Sequence, residues 1–387
     1  MGATDAANIT IPQITEPPTN LFLMVNTLET GGSERQFAVL AEHLAPSRFD
    51  VHLGCVHRRG EMADHLGEIP EFPLGGSLYG FQSLRARLDL SRHLRKHQIQ
   101  VAHGFDFYVN LTMIPAARLA RVPIVIGSHR QLGDLMTPAQ FRAQATAFRW
   151  CDAVVCNSKA GGDRLAADGI AREKLFVIGN ALPAAAFETA APALPPSRSP
   201  RVTMVARMNA DYKNHAGFLR IAAEVNKRMP DAEFVLAGDG PMRAEIEQQA
   251  SALGLSSRVV FLGDRRDIPA ILASTDVAVL TSVSEGLSNV IIEAFAANLP
   301  VVAYDVGGNS ELVDNAGQRG ALIPAGNESE FAKAVIRLLS DPNLRAHQGS
   351  VARQFAEQNF SLARVLGQYE DLYVSLLDEK RQRRRKA

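Results

Sequence analysis

The sequence predicts an α/β protein built from two doubly wound parallel-sheet domains in tandem, and three observations carry that expectation. Short apolar runs alternate with amphipathic helical patterns from Leu21 onwards, the signature of βαβ units. The alternation halts at 189–200, a stretch dense in Ala, Pro and Ser, and then begins again. The 387 residues exceed what one ordinary core holds and suit two.

In chain order, residues 1–20 are rich in Thr, Pro and Ala and read as a disordered lead-in. Buried strands are expected at 21–25, 51–56, 99–103, 123–126 and 153–156, with helices such as 34–44 and 83–96 between them. These make a first domain over 21–188. Residues 189–200 read as the linker. Strands at 201–206, 233–237, 259–261, 277–280, 300–303 and 321–323 make a second domain over 201–360. In 361–379, Leu362, Val365, Leu366, Tyr369, Leu372, Tyr373 and Leu376 form an apolar stripe at helical spacing. Such a helix must pack on protein, either on the second domain or back across the first. The basic tail 380–387 reads as frayed.

Composition narrows the function. The formal net charge is zero, so no global field points to nucleic acid. Three cysteines, Cys55, Cys151 and Cys156, show no metal-ligand spacing and suit a reducing cytoplasm. No apolar run approaches the roughly 18 residues of a membrane span, and no signal-peptide pattern opens the chain.

Open α/β sheets bind ligands beyond the carboxyl ends of their strands, so the residues after each strand matter most. After the first come Gly31, Gly32, Ser33 and Glu34, leading into a helix. Glycines allow close approach of a ligand, and the helix start offers free N–H groups suited to phosphate. The segment is neither GxGxxG nor a P-loop. After the first strand of the second domain stand Arg207 and Lys213, two cations able to neutralise a diphosphate. The segment 281–294 ends a strand, turns at Gly286 and opens a helix near Ser288. Glu285 and Glu293 within it would lie about 12 Å apart along one helical path. That is too far for a two-carboxylate hydrolysis pair and suited to two ends of one long ligand. A turn, solvated charges and helix-surface carboxylates are the plain structural alternatives for each motif alone.

Taken in order, these segments resemble the retaining family-4 glycosyltransferases of the GT-B fold, in which two Rossmann-like domains face each other. The resemblance rests on Gly31-Gly32 with Glu34, His129 at a strand end, Arg207 with Lys213, Glu285 with Glu293, and the loop Asp305-Val-Gly307-Gly308-Asn-Ser-Glu311. Asn180-Ala181-Leu182 departs from the family's usual Asn-Gly-acidic hinge. The resemblance implies a nucleotide diphosphate sugar as co-substrate, retention of configuration, and no metal or other cofactor. It implies that Arg207 and Lys213 hold the diphosphate, Glu285 the transferred sugar, Glu293 the ribose, and Gly31 and Gly32 the phosphate. Leu287, Ser288 and Asn289 would offer backbone N–H groups, Gly263 and Asp264 would face the base, and His129 would face the sugar. His103 is an acceptor-side candidate, and Asp239 in its Gly-Asp-Gly turn reads as structural.

The acceptor is expected to be a glycan or glycolipid. A nucleotide-sugar epimerase and an inactive nucleotide-sugar-binding protein of the same fold are the rival readings. Arg85, Arg87, Arg92, His93, Arg95, Lys96 and His97 interleave with Leu84, Leu88, Leu90 and Leu94 in one helix, and Arg58 and Arg59 lie earlier. They read either as a solvated helix packing its leucines inward or as a landing face for an anionic membrane, peripheral on the inner face of the plasma membrane.

Overall fold

The structure, a computed structural model, describes residues 17–386 apart from Thr30, Tyr79 and Asn315. Most of the expected lead-in therefore lies outside the described residues, while Thr19 and Asn20 already belong to the first strand. That sheet comprises β1 (Thr19–Val25), β2 (Phe49–Cys55), β3 (Val101–Gly104), β4 (Ile124–His129), β5 (Ala153–Cys156) and β6 (Leu175–Val177). All pairings are parallel, in the order β2-β1-β3-β4-β5-β6. Leu21 lies opposite Val51 on one side and Val101 on the other. β6 escaped sequence reading because Leu-Phe-Val is too short for a period to show.

The helices of this half are α1 (Gly32–His43), α2 (Phe81–Lys96), α3 (Phe107–Ala120), α4 (Pro138–Arg149) and α5 (Lys159–Ala167). Phe22, Met24, Ala102 and Val125 face a core closed by Leu90 and Leu94 of α2, Met113 of α3, Phe148 of α4 and Leu165 of α5. Leu21, Leu23, Val101 and Ile126 face the opposite core. Burial on both faces is why these strands read as unbroken apolar runs.

The second sheet comprises β7 (Arg201–Val205), β8 (Glu233–Ala237), β9 (Val259–Gly263), β10 (Val277–Leu280), β11 (Val301–Tyr304) and β12 (Gly320–Ile323), in the order β12-β11-β10-β7-β8-β9. Its helices are α6 (His215–Arg228), α7 (Arg243–Ala252), α8 (Ile268–Leu272), α9 (Asn289–Ala296), α10 (Asn309–Leu312), α11 (Glu328–Ser340) and α12 (Pro342–Phe360). Phe218 of α6 and Phe331 of α11 close one face; Ile291 and Phe295 of α9 with Ala352 and Ala356 of α12 close the other.

The last helix, α13 (Leu362–Lys386), crosses back. Val365, Tyr369, Tyr373 and Leu376 pack with Phe37 and Leu40 of α1 against the first sheet. Residues 380–386, expected to fray, continue this helix, with Lys380 held by Asp152 at 3.3 Å. The chain passes between the halves twice and at one place: the Leu182 N–H donates to the Phe360 carbonyl at 2.8 Å. The stretch 189–200 carries no helix or strand and lies on the second half, where Ala193 N–H donates to Ala270 O.

Each sheet reverses its strand order once, between β1 and β3 in the first and between β7 and β10 in the second. Loops diverge at such a point and leave a crevice beyond the strand ends. The segments after β1, β7 and β10 carry Gly31-Gly32, Arg207 with Lys213, and Glu285 with Ser288. Topology thus assembles the motifs that the sequence scatters.

Candidate active site

The crevice between the two halves holds two adjoining cavities. The larger, about 410 Å³, is walled by Gly31, Gly32 and Arg35 of the first half and by Arg207, Lys213, Asp264, Arg266, Asn289 and Glu293 of the second. The smaller, about 350 Å³, is walled by Glu34, Arg130, Gln131, Asn157 and Asn180 of the first half and by Ser284, Glu285, Leu287 and Ser288 of the second. Gly32, Tyr212, Lys213, Asn289 and Val290 border both.

Each wall has a local cause. α1 starts at Gly32 with Gly31 as its N-cap and no side-chain cap bond, so apart from the Glu34 N–H, met by its own carboxylate, no N-cap side chain competes with a ligand for its first N–H groups. A Cβ at Gly32 would sit 3.1 Å from Asn289 Nδ2, so a side chain there would press on Asn289 across the crevice. Lys213 ends a short 3-10 turn, and Asn214 follows at φ 56° and caps α6 through Gly217 N–H. Ser288 caps α9 by accepting from Ile291 N–H at 3.4 Å.

Lys213 Nζ meets Glu285 Oε1 at 2.7 Å, with the two side chains 20% and 12% exposed. A diphosphate cation and a sugar-contacting carboxylate are thereby oriented by one another. Glu285 lies on the loop after β10, not on α9, so the single helical path expected for it and Glu293 does not exist. Gly307 positions that loop: at φ 55° it abuts the Glu285 carbonyl so closely that a Cβ would collide with it. Glu293, on α9, pairs with Arg35 Nη1 at 3.1 Å, and burial raises its carboxyl above the usual range while Arg35 pulls it back. Glu34 is likewise raised by burial, tempered by a hydrogen bond to its own backbone, by Arg207 and by Thr27. Arg207 is exposed on the cavity wall; Gly263 ends β9, and Asp264 directly after it lines the cavity.

Two expected site residues lie elsewhere. His129 ends β4 as anticipated, but its ring is fully buried, edge-on to Phe141 and Phe148, with Gln144 3.2 Å from Nδ1. The loop following β4 covers it and presents Arg130 and Gln131 to the cavity instead. His103 is also fully buried: Nδ1 meets the Tyr373 hydroxyl at 2.8 Å and Nε2 the Ser128 hydroxyl at 2.7 Å. Burial lowers its pKa to about 3. It ties β3 to α13 and lines neither crevice cavity among the described residues, so the acceptor role expected for it has no support in this geometry.

Sequence reasoning missed Arg35 and Arg130. A cation in the first turn of a helix opposes the dipole; that was the available hint that Arg35 answers a carboxylate elsewhere. Arg130 Nη2 donates to Asn180 Oδ1, and Asn180 Nδ2 to Asn289 Oδ1, linking both halves through the unusual Asn-Ala-Leu segment. Gln36 clasps Ala181 through its N–H at 2.7 Å and its carbonyl at 2.9 Å. Further ties cross the crevice: Ser284 to Asp134 at 2.8 Å, and Glu311 accepting from Lys159 and Ala160 N–H at 2.8 and 2.9 Å. Glu311 thus caps the start of α5 from the opposite domain.

Comparison with known proteins agrees with this geometry. Residues 30–185 match the family model "Glycosyltransferase Family 4", and residues 199–341 match "Glycosyl transferases group 1". The chain is 26% identical over 371 residues to the UDP-Gal:alpha-D-GlcNAc-diphosphoundecaprenol alpha-1,3-galactosyltransferase of Escherichia coli, covering 88% of this chain and 92% of that one. It is 35% identical over 176 residues to the alpha-D-kanosaminyltransferase of Streptomyces kanamyceticus, covering 45% of each; the match spans under half of that relative's length. Anabaena Alr3699/HepE, solved in complex with UDP, superposes with a TM-score of 0.80 at 22% identity over 92% of this chain and all of that one. Two matched halves, two facing sheets and a shared crevice make this chain a member of the family-4, group 1 glycosyltransferases with the GT-B fold.

Proposed function

We propose that the chain transfers a sugar from a nucleotide diphosphate to a hydroxyl-bearing acceptor, with retention of configuration and without a metal ion. The observation that carries this is the placement of Arg207, the Lys213–Glu285 pair, Glu293 and the uncapped start of α1 around one crevice at both switch points. The reading puts the diphosphate against Arg207, Lys213 and the α1 N–H groups, the ribose at Glu293 and the base beside Gly263 and Asp264. The sugar then reaches Glu285 and the smaller cavity.

As the bond from the sugar to the diphosphate breaks, negative charge grows on the leaving oxygen. Fixed cations and helix N-termini stabilise charge at the place where it develops. A leaving diphosphate needs no protonation, which fits the absence of a general acid from this reading. The relatives support nucleotide-sugar chemistry: one carries UDP-galactose in its name and a structural neighbour binds UDP. A thermal-shift screen of nucleotide diphosphates and their sugars tests the proposal. A true donor at 100 times its dissociation constant should stabilise the fold by about 2.7 kcal/mol; no shift with any of them would overturn it. Release of an epimerised donor without acceptor would favour the epimerase reading.

The acceptor is proposed to be a glycolipid or surface-polysaccharide precursor met at a membrane. Phe81, Leu84 and Leu88 of α2 are 81%, 54% and 38% exposed. They share a helical face with Arg85, Arg92 and Arg95. Leu90 and Leu94 instead enter the core, and burial holds the His93 pKa down at about 4, so His93 adds no charge at neutral pH. Among the described residues no helix is long and apolar enough to cross a membrane, so the contact proposed is peripheral.

A further inference from the structure

The smaller cavity carries a cation that the donor reading leaves unused. Arg130 lines it from the first half, directly after β4. Its Nη2 donates to the neutral Asn180 amide. Its Nη1 is buried and meets no charged acceptor among the described residues. That edge lies against the buried Tyr369 hydroxyl, on which both the guanidinium's charge and a side-chain hydrogen bond from Arg130 act. No ion pair joins Arg130 to a carboxylate among the described residues, although most arginines of this protein have one.

The neighbouring charges do not answer it. Glu285 is already matched by Lys213 at 2.7 Å. Glu34 is pushed toward its neutral form by burial, and the cation it feels is Arg207. Asp134 is turned to Ser284. A half-buried guanidinium with no counter-charge is costly. It becomes favourable when a ligand brings an oxyanion, for which a planar guanidinium is the matched donor. The other groups on the wall, Gln131, Asn157 and Ser288, are amides and a hydroxyl suited to a polyol. Asn157 Oδ1 is a buried atom without a partner.

We infer, resting on the donor reading above, that the smaller cavity receives the acceptor as a hydroxyl-rich group bearing an oxyanion, a phosphate or a carboxylate, and that Arg130 is the residue selecting it. The polar wall takes the sugar-like end. Any apolar tail lies outside the crevice.

The test uses the full chain saturated with UDP, or with whichever nucleoside diphosphate stabilises it most, so that the diphosphate subsite is filled. Glucose 6-phosphate, glucuronate, inorganic phosphate and glucose are then titrated by calorimetry against wild type, R130K and R130A. The expected result is that glucose 6-phosphate or glucuronate binds at least tenfold tighter than glucose. R130A should abolish that preference, R130K should keep part of it, and nucleotide affinity should change less than twofold in both. Preference for glucose 6-phosphate assigns a phosphate, and preference for glucuronate a carboxylate. Inorganic phosphate binding as tightly as the sugar probes would overturn the acceptor assignment in favour of a free-anion site. Equal affinity for glucose and its charged analogues in folded wild type overturns the inference outright. A matching loss of nucleotide affinity in R130A would place Arg130 in the donor site instead. Failure of every nucleotide to bind would strike the donor reading, not this residue.

Discussion

Lys213 and Glu285 illustrate how two residues with plain separate readings acquire a joint one. Each is a surface-type charge, 72 positions from the other, and the fold sets them 2.7 Å apart. If they hold the leaving diphosphate and the sugar, Lys213→Ala and Arg207→Ala should each lower kcat by roughly 10²- to 10³-fold with the fold intact. Turnover at the wild-type rate would remove them from the mechanism. The two carboxylates should divide by role. Glu293→Ala should weaken calorimetric binding of the bare nucleoside diphosphate, whereas Glu285→Ala should mainly impair transfer. Equal loss of nucleotide affinity in both would sink the assignment.

His103 makes a different residue-scale prediction. In the unfolded chain it takes a proton near its ordinary value of 6.5, in the folded one only near 3. Between these values the unfolded state binds the extra proton, so stability falls as pH drops through that window, by up to roughly 1.4 kcal/mol per pH unit. Asp106 works in the opposite sense: burial raises its carboxyl to about 7, so the proton it keeps in the fold costs stability as pH rises from 3.8 toward 7. His103→Gln should therefore flatten the acid limb of urea midpoints measured from pH 6.5 to 4. An unchanged slope would mean that His103 does not titrate on unfolding.

At the scale of elements, α13 has the clearest consequence. Its Tyr373 is fully buried on the first sheet and pairs with His103 at 2.8 Å. Tyr373→Phe should cost about 1–3 kcal/mol by leaving a buried ring nitrogen unpaired, and Tyr373→Ala about 3–5 kcal/mol through the cavity. Denaturant unfolding measures both; indifference to either would show that the helix is not docked. The exposed face of α2 predicts function, not stability. Replacing Phe81, Leu84 and Leu88 by Ser should leave unfolding within about 0.5 kcal/mol of wild type while abolishing sedimentation with anionic vesicles. Arg92, Arg95 and Lys96 changed to Glu should do the same, since each basic group near such a surface adds about 1 kcal/mol. Sedimentation unaffected by either set, or no binding at low salt, would leave α2 as an ordinary solvated helix.

At the scale of the whole molecule, the two halves meet through polar ties in this structure. Arg35–Glu293, Asn180–Asn289, Ser284–Asp134 and the Glu311 cap of α5 all cross the crevice, and Arg266 reaches Glu61. The sequence by itself determined most strands, though not the three-residue β6: buried strands are apolar on both faces, helices repeat at their own period, and both signals are local. It also determined the order of the donor motifs, because ligands gather at strand ends and each motif sits directly after its strand. What only tertiary structure decided is which charges find one another. Glu34, Arg35 and Arg130 look alike in sequence, as charged residues in segments that follow a strand. Folding sends Arg35 to Glu293, leaves Arg130 without a carboxylate and buries Glu34 enough to raise its pKa. His103 and His129 likewise stand at strand ends, where a ligand is expected, yet α13 closes over one and the loop after β4 over the other. A side chain's solvation and partners depend on chain segments hundreds of residues away, and no local pattern carries that information.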